Sequence, residues 1–276
     1  MGGRRRRGTA LAVAAAAGGL MVLLGHFLAA LDEPRRTFVA LRYLATAQEH
    51  LTSRPVDRAA AIHDIKRAMA VAPSDKLVLS QAPTILLNAE DYQGALEALQ
   101  RRQVSSPDEL ITLAHALLMT DHVPRGRKLL QATLATVRSE YRQGRLSSEQ
   151  YALLLNNAAY ALAESETDLL VARNLAQRAV NIMPLQPAFT DTLGWVLFKL
   201  QQPRQAAFYL ERAVRHSLDR PDPVVLYHLG CVYAALNRRS EARRFLLWSL
   251  SLDPAREDAM RALRGLYRVL PQPPLA

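Results

Sequence analysis

A recurring unit limits the folds open to this chain more than any other feature of its sequence. The clearest copy occupies residues 223–256, which is 34 residues. Gly194 precedes Gly230 by 36 residues, and the excess of two falls within residues 219–222. Self-similarity at a fixed spacing of roughly 20–50 residues is typical of stacked copies of one supersecondary unit. The sequence therefore predicts a repeat array.

The residues at fixed places in this unit suit two antiparallel helices. Gly230 and Ala242 are small, so two helix backbones can approach closely there. Leu229 and Leu246 are large and can fill the layer between neighbouring units. Pro254 ends the second helix, because proline has no backbone N–H to donate. Each unit can bury its apolar face only against its neighbours, so we expect several units.

The unit resembles the tetratricopeptide repeat (TPR), whose pattern is L-G-x-x-Y followed by A, F and P. The matching positions are Leu229, Gly230, Tyr233, Ala242, Leu246 and Pro254. One earlier unit matches at Leu193, Gly194, Leu197, Ala206, Leu210 and Ala213, and another at Ala158, Ala159, Leu162, Ala172, Ala179 and Pro184. The resemblance implies an all-α fold: a right-handed α-solenoid of helix pairs, with three well-matched units over residues 148–256.

The N-terminal half carries weaker copies of the pattern, so we expect degenerate TPR-like repeats over residues 37–147. Pro83 stands where the first helix of a unit should carry a small residue, which predicts a kink or a late helix start. An extra stretch of ten residues, 138–147, contains Gly144, and Ser147 or Ser148 could cap the helix that follows. Residues 257–270 are predicted to form a capping helix and residues 271–276 a tail.

The N-terminus has the composition of a membrane anchor. A basic tail, residues 1–8, holds Arg4–Arg7, and residues 9–31 are uncharged and rich in Ala, Leu and Gly. About 20 apolar residues span a bilayer core, so residues 9–31 are predicted to be a transmembrane signal-anchor helix. Two alternatives stay open: a signal peptide that is cleaved, which bulky Phe27 and Leu28 before the cleavage positions disfavour, and a buried helix of a soluble protein.

The arginine cluster also predicts an orientation. Positive charge before a span favours the cytoplasm, so the N-terminus is expected in the cytoplasm and the repeats outside it, in the periplasm. Arg35 and Arg36 follow the span and weaken this asymmetry. The expected localisation is a single-pass protein of the inner (cytoplasmic) membrane.

The sequence contains none of the common catalytic or nucleotide-binding motifs. A single cysteine, Cys231, cannot form an internal disulfide or a thiolate metal cluster. We therefore expect no enzyme activity, no cofactor, no metal and no small-molecule substrate. The net charge of +10 could steer acidic partners or simply solvate the surface. Nucleic acid is not expected, because the basic residues are not interleaved with aromatic residues that could stack on bases.

The TPR resemblance implies that the first helix of each unit lines a concave groove. Carried onto this sequence, the groove positions are Asn156, Tyr160, Asp191, Trp195, Phe198, Tyr227 and His228. Aromatic residues among polar ones suit an extended peptide or a partner helix. The alternative is that Trp195 and Phe198 pack between helices. A basic clamp for a carboxylate tail is not expected, because Asp191 and Tyr227 stand at places where Lys or Asn would serve it.

Two functions follow from this sequence. The first is a non-catalytic protein–protein interaction scaffold, tethered to a membrane through residues 9–31, with a protein or peptide partner in the concave groove. The second is a regulatory or assembly subunit of an envelope secretion, polysaccharide-export or cell-envelope enzyme complex.

Overall fold

The structure is a computed structural model, and it describes residues 33–268. This part of the chain consists of thirteen α-helices and contains no strand. The first, α1, covers residues 33–52. The others are α2 (Arg58–Val71), α3 (Lys76–Asn88), α4 (Tyr92–Gln100), α5 (Pro107–Met119), α6 (Val123–Arg142), α7 (Ser148–Glu164), α8 (Leu169–Ile182), α9 (Pro187–Lys199), α10 (Pro203–His216), α11 (Pro223–Ala235), α12 (Arg239–Leu252) and α13 (Glu257–Arg268). The all-α solenoid predicted from the repeat pattern is confirmed.

The helices begin where the sequence supplies acceptors for their free backbone N–H groups. Asp57, Asp75 and Asp91 accept such bonds at the starts of α2, α3 and α4. Ser147 does so at α7 and forms a capping box with Gln150. Capping residues satisfy donors that have no partner inside the helix. Several other helices begin with proline, whose missing N–H costs nothing in the first turn.

The helices form pairs, and neighbouring pairs contact each other more closely through their first helices than through their second helices. Each of α3, α5, α7, α9 and α11 packs mainly on the helix that follows it. These first helices also contact one another from pair to pair, whereas second helices of successive pairs, such as α6 and α8, do not. A stack that is tighter on one side curves toward that side. The first helices therefore line the concave, inner face.

Glycines mark the closest helix crossings. A Cβ atom added to Gly194 would lie 2.7 Å from Leu210 Cγ, and one added to Gly230 would lie 2.8 Å from Leu246 Cγ. Real Cβ atoms do not approach other carbons so closely, so only glycine fits at these two positions. The sequence prediction that Gly230 lies where two helices cross is confirmed. Gly126 plays the same part in a weaker unit, where an added Cβ would lie 3.0 Å from the backbone oxygen of Ala114.

Two positions that depart from the repeat pattern have local explanations. Helix α3 runs from Lys76 through Pro83, so a late helix start at Pro83 is wrong. Its start is held instead by Asp75, which accepts hydrogen bonds from Leu77 N and Val78 N. The extra stretch lengthens α6 and then turns at Gly144, where φ is +69°. A left-handed φ favours glycine, so this turn ends α6 before α7 begins.

The two ends of the array meet. The backbone N–H of Val56 donates to Leu252 O at 2.8 Å, and Arg54 Nη2 donates to Pro221 O at 2.6 Å. Arg58 forms a bidentate pair with the buried carboxylate of Asp253, at 3.1 and 2.8 Å. Residues 54–58 thus close onto residues 221 and 252–256, and we call this the closing contact. It turns the curved stack into a ring.

The predicted membrane placement needs correction. None of the helices within residues 33–268 is long and apolar enough to cross a membrane. The longer helices show why: α6 has 20 residues but carries Arg125, Arg127, Lys128 and Arg138 among its charges. This finding contradicts a single-pass protein of the inner membrane with periplasmic repeats. The predicted span, residues 9–31, lies outside the described residues, as does the predicted tail.

Candidate functional site

The ring encloses a chamber on the inner face of the array. Its volume is about 470 Å³. The walls come from the first helices α5, α7 and α9, from the start of α11, from residues 87–92 where α3 ends and α4 begins, and from the closing contact. The polar, charged and aromatic side chains that line it include Tyr92, His115, Asn156, Tyr160, Asp191 and Arg256. Clefts of this size, with a few polar groups on an apolar frame, are typical of ligand sites.

Three of the seven residues predicted from the sequence line this chamber: Asn156, Tyr160 and Asp191. Asn156 lies on α7 and is 7% exposed, and its Oδ1 is buried without a hydrogen-bond partner. Tyr160 follows one turn later on the same helix and is half-buried. Burial, together with the charge of nearby Glu164, raises the pKa of the Tyr160 hydroxyl well above its ordinary value.

The other four predicted residues form an aromatic stack beside the chamber. Trp195 is 3% exposed, and its ring lies nearly parallel to that of His228 with centroids 3.9 Å apart. The ring of Phe198 also stacks on Trp195, at 5.2 Å, and Tyr227 leans on Trp195 at 5.7 Å. The alternative interpretation from the sequence, that Trp195 packs between helices, describes its position.

Polar contacts hold this stack in place. Trp195 Nε1 donates to Glu164 Oε1 at 2.7 Å, and Lys199 Nζ lies 4.8 Å from the centre of the indole ring. His228 is buried, and its Nδ1 lies 2.9 Å from Asp191 Oδ1. Asp191 thereby joins the stack to the chamber wall. A buried polar side chain with satisfied bonds is rigid, so the stack fixes the orientation of Asp191.

His115 is a chamber residue that the sequence analysis missed. It lies on α5, is 5% exposed, and its Nε2 is buried without a hydrogen-bond partner. Its ring packs edge-on against Tyr160 at 5.8 Å and lies tilted against Tyr92 at 5.9 Å. Burial lowers the pKa of the His115 imidazole to about 4, so the ring is neutral near neutral pH. Its place in the repeat is the sequence signal that could have found it. His115 directly follows a small residue of its helix, as Tyr160 and Trp195 do in their units.

The closing contact forms a charged edge of the chamber. Arg256 is buried, and its guanidinium group lies 3.1 Å from Asp253, 3.3 Å from Glu90 and 3.5 Å from Asp258. Glu90 also forms an ion pair with Arg58, with Oε1 3.1 Å from Nη2. Both arginines of the chamber wall are therefore neutralised by carboxylates of this chain.

A second hollow, of about 760 Å³, lies between α6 and α8 on the outer side. Arg127 and Asp168 bridge it through two hydrogen bonds of 2.7 and 2.6 Å. Within residues 33–268, none of the side chains that line this hollow has a buried polar atom without a partner. The chamber does have such atoms, and this difference makes it the better candidate for a specific site.

Two family models match the chain. The model of the ChAPs (Chs5p-Arf1p-binding proteins) matches residues 43–213, and the tetratricopeptide repeat model matches residues 224–256. The first match covers more than half of the chain. The second falls on the unit that the sequence analysis identified at residues 223–256. The resemblance to tetratricopeptide repeats is confirmed.

A curated relative is the TPR repeat-containing protein PA4667 of Pseudomonas aeruginosa. It is 27% identical over 175 residues, which are 63% of this chain and 28% of the relative. The chain thus spans little more than a quarter of that protein's length.

Solved structures share the fold. TTC0263, a thermophilic TPR protein of Thermus thermophilus, superposes with a TM-score of 0.52 and 17% identity, covering 71% of this chain and all of that one. A chain of the Cut9-Hcn1 hetero-tetramer of the APC/C gives the same score and identity, covering 87% of this chain and 45% of that chain. At this identity the likeness shows the fold alone.

Proposed function

Because this chain belongs to the ChAPs (Chs5p-Arf1p-binding proteins) family of tetratricopeptide-repeat proteins, we propose that it is a non-catalytic scaffold that binds a segment of a protein partner in its chamber. One observation carries the proposal: His115 and Asn156 present buried polar atoms without partners to the inner face. Buried polar groups in folded proteins are almost always hydrogen-bonded. A ligand that enters the chamber would supply the missing bonds.

The seven residues chosen from the sequence divide into two roles in this proposal. Asn156, Tyr160 and Asp191 face the bound segment. The stack of Trp195, Phe198, Tyr227 and His228 holds Asp191 in place and forms the wall behind it. Truncation of Trp195 would therefore test the packing of the array, and it would not be a clean test of binding.

The test is capture of a partner followed by direct binding. The full chain is immobilised, bound proteins are identified, and each candidate is purified and titrated against the wild type, Asn156→Leu and Asn181→Leu. Asn181 is exposed on outer helix α8, so Asn181→Leu is the matched control. We expect binding to be lost in Asn156→Leu and kept in Asn181→Leu. A purified partner that binds all three alike would overturn the proposal, because it would use another face.

A further inference from the structure

The chamber wall has an excess of negative charge. Four carboxylates line it, from Glu90, Asp191, Asp222 and Asp253, against the two arginines Arg58 and Arg256. Both arginines already pair with Glu90 and Asp253. Like charges at short range repel in a site with limited water. An anionic ligand is therefore disfavoured here, and a cationic one is favoured.

Two of the three unpartnered buried atoms that line the chamber call for a ligand that donates hydrogen bonds. The third, Arg58 Nε, is a donor and belongs to a guanidinium group that already pairs with Glu90 and Asp253. Asn156 Oδ1 is an acceptor, and a neutral imidazole such as that of His115 has one acceptor nitrogen. Both side chains are more than nine-tenths buried and line the same chamber. An ammonium group carries three donors and no acceptor, so it matches what these two side chains leave open.

Aromatic rings complete the environment. The rings of Tyr92 and Tyr160 flank His115, with centroids within 5.9 Å. The face of a tyrosine ring attracts a cation. Burial is the main cause that raises the pKa of both hydroxyls, and nearby carboxylates add to it: Glu90 and Glu164 for Tyr92, and Glu164 and Asp191 for Tyr160. A positive charge placed between these groups would gain from each of them.

We propose that the chamber recognises an alkylammonium group, with Asn156 and His115 as its hydrogen-bond acceptors, Tyr92 and Tyr160 as its walls, and Asp191 and Asp222 as its counter-charges. The group could be a lysine side chain of the partner segment or a free alkylamine. This inference rests on the proposed function and specifies the chemistry that its chamber selects. The volume of about 470 Å³ admits a side chain but not a helix.

The experiment uses the full chain and three small probes: butylamine, Nα-acetyl-lysine methylamide and Nα-acetyl-norleucine methylamide. The norleucine compound keeps the alkyl chain of lysine and lacks its ammonium group. Calorimetric titration should show saturable one-to-one binding of an amine, at least about tenfold tighter than norleucine, because hydrogen bonds to charged groups are among the stronger ones. Binding of both amines identifies a lysine side chain as the ligand, and binding of butylamine alone identifies a free amine.

Variants of the chamber test whether the amine binds at Asn156 and His115. Asn156→Leu and His115→Phe remove the two acceptors and should abolish amine binding, while Asn181→Leu should leave it unchanged. Neither chamber variant should lower the melting temperature, because each removes a buried polar atom that has no partner. Norleucine binding as tight as that of the amine that binds, no saturable binding of either amine, or full amine binding by Asn156→Leu would overturn the proposal. If a purified partner still requires the chamber in that case, the proposed function stands and only the cation assignment fails.

Discussion

Packing alone does not explain why His115 and Asn156 are buried. A buried donor or acceptor without a partner costs about 1–3 kcal/mol, and an apolar side chain of similar shape would avoid that cost. The chain keeps both polar groups on the inner face of adjacent first helices, α5 and α7. Residues that lower stability while facing a cavity are typical of functional sites. Trp195 is the opposite case, because its indole N–H has a partner and its ring is packed.

The stability of the protein should depend on pH through His115. Burial lowers the pKa of this imidazole from 6.5 to about 4. The unfolded chain therefore binds a proton at a higher pH than the folded chain does. The free energy of unfolding is therefore highest above pH 6.5, where the ring is neutral in both states. It falls as the pH drops toward 4, because the unfolded chain takes up the proton first. The loss amounts to roughly 3 kcal/mol, at about 1.4 kcal/mol per pKa unit.

Urea denaturation of the wild type and of His115→Phe at several pH values between about 7 and 4 measures this effect. The two free energies of unfolding should diverge as the pH falls, because the variant has no proton to take up at this site. Parallel curves over the whole range would show that His115 is not buried in its neutral form.

At the scale of helices, the array depends on helix crossings at glycine, where one of the two helices has no side chain. In the best-matching unit α11 crosses α12 at Gly230, and in the preceding unit α9 crosses α10 at Gly194. The facing side chains, Leu246 and Leu210, are fully buried. Close-packed interiors do not absorb an extra methyl group at such a contact without strain. The glycines that help to identify the repeat in the sequence therefore mark the places where two helix backbones come close together.

Gly230→Ala should destabilise the protein by about 1–3 kcal/mol, since overpacking of a well-packed contact costs that much. The matched control is Gly265→Ala in α13, where an added Cβ would meet no atom within 4 Å. That variant should gain roughly 0.5–1 kcal/mol, because alanine is the better helix former. Thermal denaturation followed by circular dichroism measures both. If both variants changed stability in the same direction, the assigned crossing would be wrong.

At the scale of the whole molecule, the closing contact makes the array a ring. It joins residues that are 195 positions apart, such as Arg58 and Asp253. Asp253 is fully buried and serves both Arg58 and Arg256. Loss of one partner in a buried ion pair leaves a charge uncompensated, which is costly. The ring, and with it the chamber, therefore depends on this carboxylate.

Asp253→Asn should open the ring without unfolding the units between its ends. Repeats interact mainly with their neighbours, so hydrogen exchange should speed up at Val56 and around the closing contact, with α7–α10 unchanged. The radius of gyration from small-angle scattering should rise. Glu241→Gln is the control: Glu241 pairs with Arg238 at the surface, and its loss should change neither quantity. An unaltered Val56 amide in Asp253→Asn would show that the carboxylate does not hold the ring closed.

The sequence by itself determined the helix pairs and their crossings. The spacing of small residues, large residues and prolines is a local code, because each helix meets its pair partner within one unit. That code identified Gly194 and Gly230 and predicted the all-α solenoid. It is weaker where the repeats are degenerate: Pro83 predicts a kink or a late helix start, yet the helix begins at Lys76 and continues through Pro83.

Only the tertiary structure decided the closure of the ring and the composition of its chamber. The small rotation between successive units accumulates along the array, so no single unit encodes whether residues 54–58 meet residues 252–256. The same accumulation turned Asn156, Tyr160 and Asp191 toward the chamber and left Trp195 packed against His228, although one repeat register holds both Tyr160 and Trp195. His115 became part of the site because a neighbouring helix brought it beside Tyr160. Register along one helix predicts which side chains can share a face, but the packing between helices selects those that reach the cavity.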